Sequence, residues 1–298
     1  MSAGWSFFII VLTLSNIAAC VWLMFWQRKK RVAKGQTLGH EFDGIVEYDN
    51  PLPRWWLGTF IGTIVWGLLY LLLYPGLGSF AGVLGWSQQG QYDAEVERAQ
   101  AAYGPLYASL AARPIPELAQ DGEAMKTAGR LFANNCSQCH GSDGRGGSGF
   151  PNLTDAAWQW GGDPETIKTT ILYGRQGVMP AFAPAIGGEE GIPAVVAYVR
   201  HLGGFETDPE LRAVGQQKYM TVCVACHGAD GKGMQALGAP NLTDETWLYG
   251  ASEEAIAEGL RQGRHGVMPA QKDLLGEEKV HLLSAYVYQL SGRAGATP

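Results

Sequence analysis

Two uncharged apolar runs, residues 5–26 and 55–74, set the start of the chain apart from everything after it. A bilayer core takes about 20 apolar residues as a helix. Trp and Tyr stand at the ends of both runs, where membrane–water interfaces favour them. The pattern predicts two transmembrane helices, at about 5–26 and 55–74, within an anchor of residues 1–87. Beyond Pro75 and Gly76 the pattern changes. Residues 88–110 are polar, Ala-rich and helix-prone, and residues 111–116 break the helix, so 88–120 reads as a stalk or linker. Amphipathic stretches then alternate with Gly- and Pro-rich turns, at 124–135, 193–202, 211–222 and 278–290. Their spacing is helical, and no run reads as a buried strand. The expected fold class is all-α.

The second part of the chain repeats itself. Pro151-Asn152-Leu153-Thr154-Asp155 recurs as Pro240-Asn241-Leu242-Thr243-Asp244, Trp158 as Trp247, and Phe132 as Tyr219. A repeat of this length implies two like domains, expected at 121–203 and 204–298. Each is small for an independent core.

The chemistry lies inside the repeat. Cys136-Ser137-Gln138-Cys139-His140 and Cys223-Val224-Ala225-Cys226-His227 are two C-x-x-C-H motifs. This spacing is the attachment signature of c-type haem. Two thiols add across the haem vinyl groups, and the adjacent His presents its imidazole to the iron. The expectation is two covalently bound haem c groups, held by Cys136, Cys139, Cys223 and Cys226. A zinc site built from two cysteine pairs gives no reason for a His after each pair. A thioredoxin-like dithiol needs a βαβ context that is absent here. Such haem domains fill their small core with the prosthetic group itself.

A His-ligated haem iron commonly takes Met as its second axial ligand, which raises the reduction potential. Gly174-Arg175-Gln176-Gly177-Val178-Met179-Pro180 and Gly263-Arg264-His265-Gly266-Val267-Met268-Pro269 share one string, G-R-x-G-V-M-P. The expected axial set is His140, Met179, His227 and Met268, with each Met serving the haem of its own repeat. His265 lies close to Met268, but Gln176 takes its place in the first repeat. His201 and His281 sit on helical patterns and read as surface or hydrogen-bonded residues. The turns 141–149 and 228–240 are Gly-rich and end near Pro151 and Pro240.

The charges add orientation. Nothing basic precedes the first apolar run, unlike a signal peptide, and six Lys/Arg (28, 29, 30, 31, 34 and 54) follow it. By the positive-inside rule, the loop 27–54 is cytoplasmic and both termini lie on the other side. That is also the side on which bacteria attach c-type haem. Residues 55–298 carry 16 Lys/Arg against 24 Asp/Glu, a net −8. An acidic surface can steer a basic donor, and it excludes nucleic acid as a partner. Membrane lipid is the remaining partner that the residues imply. From residues alone the chain is a membrane-anchored dihaem electron carrier, which is not an enzyme on its own and has no catalytic residues.

One segment is more specific. Residues 40–56 read His-Glu-Phe-Asp-Gly-Ile-Val-Glu-Tyr-Asp-Asn-Pro-Leu-Pro-Arg-Trp-Trp. Followed by an apolar helix and two C-x-x-C-H domains, this resembles the dihaem subunit (subunit III) of cbb3-type cytochrome c oxidase. Many members of that family have one span, and here a first helix is added. The resemblance implies two tandem class I cytochrome c domains, in which Pro151 and Pro240 would accept the proximal His N–H. It implies an inner-membrane protein with periplasmic haem domains. Its partners would be a soluble or membrane cytochrome c donor, a monohaem cytochrome c subunit and the haem–copper catalytic subunit that reduces oxygen in aerobic respiration. The loop 40–56 would be a docking element. An alternative is a dihaem subunit of another membrane redox enzyme, such as a dehydrogenase. A dihaem peroxidase or a gas sensor would need an open axial position, which the paired Met residues oppose.

Overall fold

The structure is a computed structural model that describes residues 1–27, 36–48 and 53–292. The chain divides into two compact units, 1–102 and 103–298.

In the first unit, α1 (Ala3–Gln27) and α2 (Arg54–Leu73) correspond to the two apolar runs. Apart from Arg54 at the start of α2, both carry uncharged, mostly exposed side chains and are long enough to cross a bilayer. Along α1, Ser6, Ile9, Ile10, Thr13, Ile17, Cys20 and Val21 are half-buried and Met24 is buried; along α2 the half-buried set is Leu57, Phe60, Ile64, Gly67 and Leu71. Each set recurs at three- and four-residue intervals and so defines one covered stripe per helix. Near the end of that stripe, the Ser79 backbone N–H donates to Ser6 Oγ at 2.8 Å. Between the helices lies a hairpin of β1 (Thr37–Phe42) and β2 (Ile45–Tyr48), with Phe42 paired to Ile45. Asp43 (φ 47°) and Gly44 (φ 84°) make its two-residue turn. Positive φ at both positions is what a type I′ turn needs, and Asp-Gly is a favoured pair for it. The expected loop thus contains a regular hairpin. Its basic residues 28–31 and 34, and residues 49–52 of the expected docking element, lie outside the described residues.

The helix α3 (Gln88–Ala111) covers most of the expected stalk. The rest of that stretch is not a connector. In the second unit α4 (Ile115–Leu118) buries Ile115, Leu118 and Ala119 in a core shared with α5 (Gly122–Asn135) and α13 (Glu277–Leu290). Two side chains of α13 fasten it. His281 Nε2 donates to the Arg113 carbonyl at 2.8 Å, and Gln289 Nε2 donates to the Ala119 carbonyl at 2.9 Å.

The remaining elements are α6 (Ser137–His140), α7 (Pro164–Tyr173), β3 (Arg175–Met179), α8 (Ile192–Leu202), α9 (Pro209–Val222), α10 (Val224–His227), α11 (Glu253–Gln262), β4 (Arg264–Met268) and α12 (Lys272–Leu275). Their starts follow capping chemistry. The Asp121, Asp163, Asp208 and Ser252 side chains accept from the first free N–H groups of α5, α7, α9 and α11, donors that otherwise lack a helical partner.

The packing of these helices cuts across the expected repeats. The repeats 121–203 and 204–298 do not close on themselves. The last helix of the chain, α13, packs on α5 and α7 of the first repeat, while α8 of the first repeat packs on α9 and α11 of the second. One body is therefore built from 121–174 and 264–292, and the other from the continuous stretch 175–263. The second body has the element order of a cytochrome-like repeat with its closing piece placed first, and it is inserted into the other. Ion pairs help close it: Arg261 of α11 meets Glu189 at 3.0 Å, and Arg200 of α8 meets Glu253. The two crossings are β3 and β4, which pair antiparallel over five residues without a bulge.

The two Cys-His motifs and the Met ladder

Each C-x-x-C-H motif is a single helical turn leaving a longer helix. Cys136 ends α5, its N–H bonded to the Phe132 carbonyl, and the His140 N–H bonds back to the Cys136 carbonyl at 3.0 Å. Cys223, Tyr219 and His227 repeat this arrangement. One turn puts both thiols and the imidazole on one side of the chain end. Cys136 is half-buried and Cys223 buried, while Cys139 and Cys226 are exposed. Burial pushes the Cys136 thiol up to about 11 and raises that of Cys223 as well. These are apolar thiols rather than low-pKa nucleophiles.

The expected Pro partners are in place. His140 Nδ1 lies 3.1 Å from the Pro151 carbonyl, and His227 Nδ1 lies 3.1 Å from the Pro240 carbonyl. A carbonyl only accepts, so in both rings Nδ1 carries the proton and Nε2 keeps its lone pair for a metal. The turn that delivers each carbonyl is built locally. The Asn152 side chain accepts from Thr154 N–H and Oγ1, and Asn241 does the same for Thr243. This is the structural content of the repeated Pro-Asn-Leu-Thr. Gly146 and Gly233 sit beside the Pro carbonyls, where a Cβ would come within 2.6 Å of either oxygen. His227 is buried, which holds its imidazole below the usual range against the opposing Pro240 hydrogen bond.

Met179 and Met268 are brought to the motifs, but crosswise. Met179 packs on the cluster that holds Cys223, Tyr219, Ala257 and Leu260. Met268 packs on the cluster that includes Cys136, Phe132, Ile171 and Leu172. The packing thus sets each Met beside the cysteine of the other repeat. Long crossovers are not needed, because the two sites flank one shared ladder. Four residue steps of strand cover ~14 Å. Met268 is paired with Arg175 and Met179 with Arg264. The Gly that opens each string makes the close crossing possible. Gly174 and Gly263 have φ near +75°, and a Cβ there would stand 2.3 Å and 2.4 Å from the carbonyls of Met268 and Met179. Matching hydrogen bonds seal the exchange: Gln271 N–H to the Ile171 carbonyl and Phe182 N–H to the Leu260 carbonyl.

The rival histidines are accounted for. His281 is spent on Arg113, and His265 lies on the exposed side of the ladder, 3.1 Å from Gln176 Nε2. Among the described residues no three of His, Cys, Asp and Glu gather as a metal-ion site. The residues do fit a haem: in each body a C-x-x-C-H turn with a free imidazole Nε2 adjoins an apolar cluster that holds its first Cys and a Met thioether. Trp247, packed on the Cys223 cluster, also has a buried indole N–H with no partner. Burying such a donor unpaired is costly, and a bound acceptor such as a haem carboxylate would satisfy it.

Two like sites of this make, each with helix, C-x-x-C-H turn and Met strand, define a haem-binding cytochrome c of two repeats, here with apolar helices that suit a membrane. Residues 34–81 match the family model for the N-terminal domain of cytochrome oxidase-cbb3, FixP, and residues 123–199 and 210–287 match the model for cytochrome C oxidase, cbb3-type, subunit III. A cbb3-type cytochrome c oxidase subunit CcoP of Rubrivivax gelatinosus is 46% identical over 292 residues, covering 97% of this chain and 96% of the relative. A FixP subunit of Sinorhizobium medicae is 38% identical over 274 residues, covering 86% and 94%. A CcoP subunit of Cereibacter sphaeroides is 38% identical over 282 residues, covering 89% and 97%. The chain belongs to the family of cbb3-type cytochrome c oxidase subunit III. It is a membrane-associated, haem c-binding electron-transfer subunit of that oxidase complex, and is not catalytic on its own.

Proposed function

We propose that this subunit holds two covalently bound haem c groups with exchanged axial ligands, and relays electrons between them. Cys136, Cys139 and His140 hold one haem, completed by Met268. Cys223, Cys226 and His227 hold the other, completed by Met179. A haem supplies a one-electron couple at its iron. The chain's own residues fix the imidazole tautomer through Pro151 and Pro240, supply a thioether on the opposite side, and keep water out with the clusters around Phe132 and Tyr219. The observation that carries this reading is the packing of each Met on the cysteine cluster of the other repeat.

Electrons come from a soluble or membrane cytochrome c whose basic surface suits the acidic haem unit. They leave towards a monohaem cytochrome c subunit and then the haem–copper subunit, as the family resemblance implies. The anchor crosses the bacterial inner membrane twice, with 27–54 cytoplasmic and the haem unit periplasmic. The hairpin 37–48 exposes Phe42, Ile45 and Tyr48, apolar groups suited to docking against neighbouring subunits near the membrane surface.

The purified protein should contain two haems per chain. Its reduced spectrum should be low-spin and unchanged by carbon monoxide. One haem per chain, or a carbon monoxide-reactive spectrum in the unmodified protein, would sink the assignment. Topology is tested separately. A reporter fused near Gly35 should behave as cytoplasmic and one at Pro298 as periplasmic; the reverse pattern refutes the orientation.

A further inference from the structure

Directly opposed residues in an antiparallel ladder have Cα atoms about 5 Å apart and point to the same face. Each Met of the ladder faces an Arg in this way: Met268 faces Arg175, and Met179 faces Arg264. The face these four share with Gly177 is half-buried, whereas Gln176, Val178, His265 and Val267 lie on the exposed face. Each strand therefore begins with an Arg in one haem site and ends with a Met in the other.

Each guanidinium is held by residues that precede its strand. Arg175 Nε donates to Thr170 Oγ1 at 2.9 Å, and its guanidinium lies 5.0 Å from the centre of the Trp160 ring. Arg264 Nη2 donates to the Ala255 carbonyl at 2.6 Å and lies 4.4 Å from the Tyr249 ring. Among the described residues neither forms an ion pair with a carboxylate, unlike Arg113, Arg145, Arg200 and Arg261. Arg cannot shed its proton in a protein. Two permanent, uncompensated cations thus stand on the Met side of the two sites.

We infer that Arg175 and Arg264 set the reduction potentials of the two haems. Arg175 acts on the haem of Cys136 and His140, and Arg264 on that of Cys223 and His227. This rests on the ligand reading above. Reduction adds one electron at the iron, and a nearby fixed cation favours the reduced form. At an effective dielectric of about 20, a unit charge ~10 Å from a redox centre changes its electron equilibrium roughly tenfold. For a one-electron couple that is about 59 mV. The deduction also explains why Arg is the constant second residue of both strings, while the third differs.

The test is a redox titration of the full-length protein carrying Arg175→Gln or Arg264→Gln, with Arg→Lys at each position as a charge-preserving control. Each Gln variant should lower one midpoint potential by about 59 mV, leave the other in place, and stay low-spin and closed to carbon monoxide. Each Lys variant should recover most of the shift. The haem affected by Arg264→Gln should be the one opened to carbon monoxide by Met179→Ala. Unchanged potentials in both Gln variants overturn the inference. So does a Gln variant that becomes carbon monoxide-reactive, which would mean the Arg only holds the strand. If a Gln variant loses its haem, the Lys variant decides alone: a potential near that of the unmodified protein supports the charge role, and haem loss in Lys as well overturns it. If instead Met179→Ala and Met268→Ala leave both haems closed, the ligand reading has failed and not this one.

Discussion

Arg175 of the first repeat and Met268 of the second are directly opposite each other in the β3–β4 ladder, and Met268 rests on the core of Cys136. The C-terminal repeat thus reaches back to the first site. With the haem of one motif removed by a Cys→Ala pair, the remaining one can be watched alone. In a chain lacking Cys223 and Cys226, Met268→Ala should open the remaining haem to carbon monoxide and lower its potential, while Met179→Ala should do neither. The opposite result would restore the simple arrangement in which each repeat serves itself.

Gly174 is the residue most exposed to a small change. Its φ of +72° disfavours any side chain, and a Cβ would collide with the Met268 carbonyl. Left-handed strain at a non-Gly residue costs of order 1–3 kcal/mol, and the collision adds to it. Gly174→Ala should lower the midpoint of denaturant unfolding by that amount or more. Gly147, where nothing lies within 4 Å and φ is not in the left-handed range, is the control, and its Ala variant should stay within about 0.5 kcal/mol of the unmodified protein. Equal effects at the two positions would mean the crossing is looser than described.

The His140–Pro151 hydrogen bond uses a backbone carbonyl, so the ring of Pro151 is dispensable to it. Pro151→Ala should leave the potential and the low-spin spectrum of that haem nearly unchanged. A bulky side chain at Gly146, as in Gly146→Val, should displace the carbonyl and alter the potential. A large shift on Pro151→Ala together with none on Gly146→Val would assign the tuning to something other than this bond.

Asp121 caps α5 and also accepts from Arg113 Nη1 at 2.6 Å. The Arg113 hydrogen bond, followed by that of the Ala124 N–H, holds its carboxyl below the ordinary range. A carboxylate with a depressed folded-state pKa stabilises above its unfolded value and loses that contribution as pH falls through the folded one. The thermal midpoint of the haem unit should therefore drop below the ordinary carboxylate pKa, and Asp121→Asn should make that limb shallower without adding stability near neutrality. Identical acid limbs would remove Asp121 from the set of groups that matter.

Most of the site was legible because haem attachment constrains adjacent residues. Cys136, Cys139 and His140 must share one turn, so their spacing is visible in the chain. The Met strings were visible through repetition, and the Pro151 and Pro240 contacts through family resemblance. What stayed hidden was the pairing between strings. A five-residue stretch with Gly at its centre has no strand signature of its own, and β3 and β4 exist because each is the other's partner. Apolar periodicity located α5, α8, α9 and α13 nearly to the residue, yet it says only that a face is buried, never against which helix. Likewise the Asp43-Gly44 turn carried its hairpin signal in two residues, and it was passed over because the flanking alternation is short. Ile115 and Leu118 fall in the expected linker because Pro114 and Pro116 break the helical pattern there; the same Pro residues stand at the start of α4, which buries both apolar side chains.

Insertion of one body into the other also sets an order of completion. A chain emerging from the ribosome presents every residue of the 175–263 body before α12 and α13 exist. The later motif can close first, and the earlier motif must wait, with Phe132 and Leu172 uncovered, for the last helix to arrive. Chains cut after residue 263 should accordingly keep the haem of Cys223 and lose the haem of Cys136, the reverse of what reading order along the chain suggests.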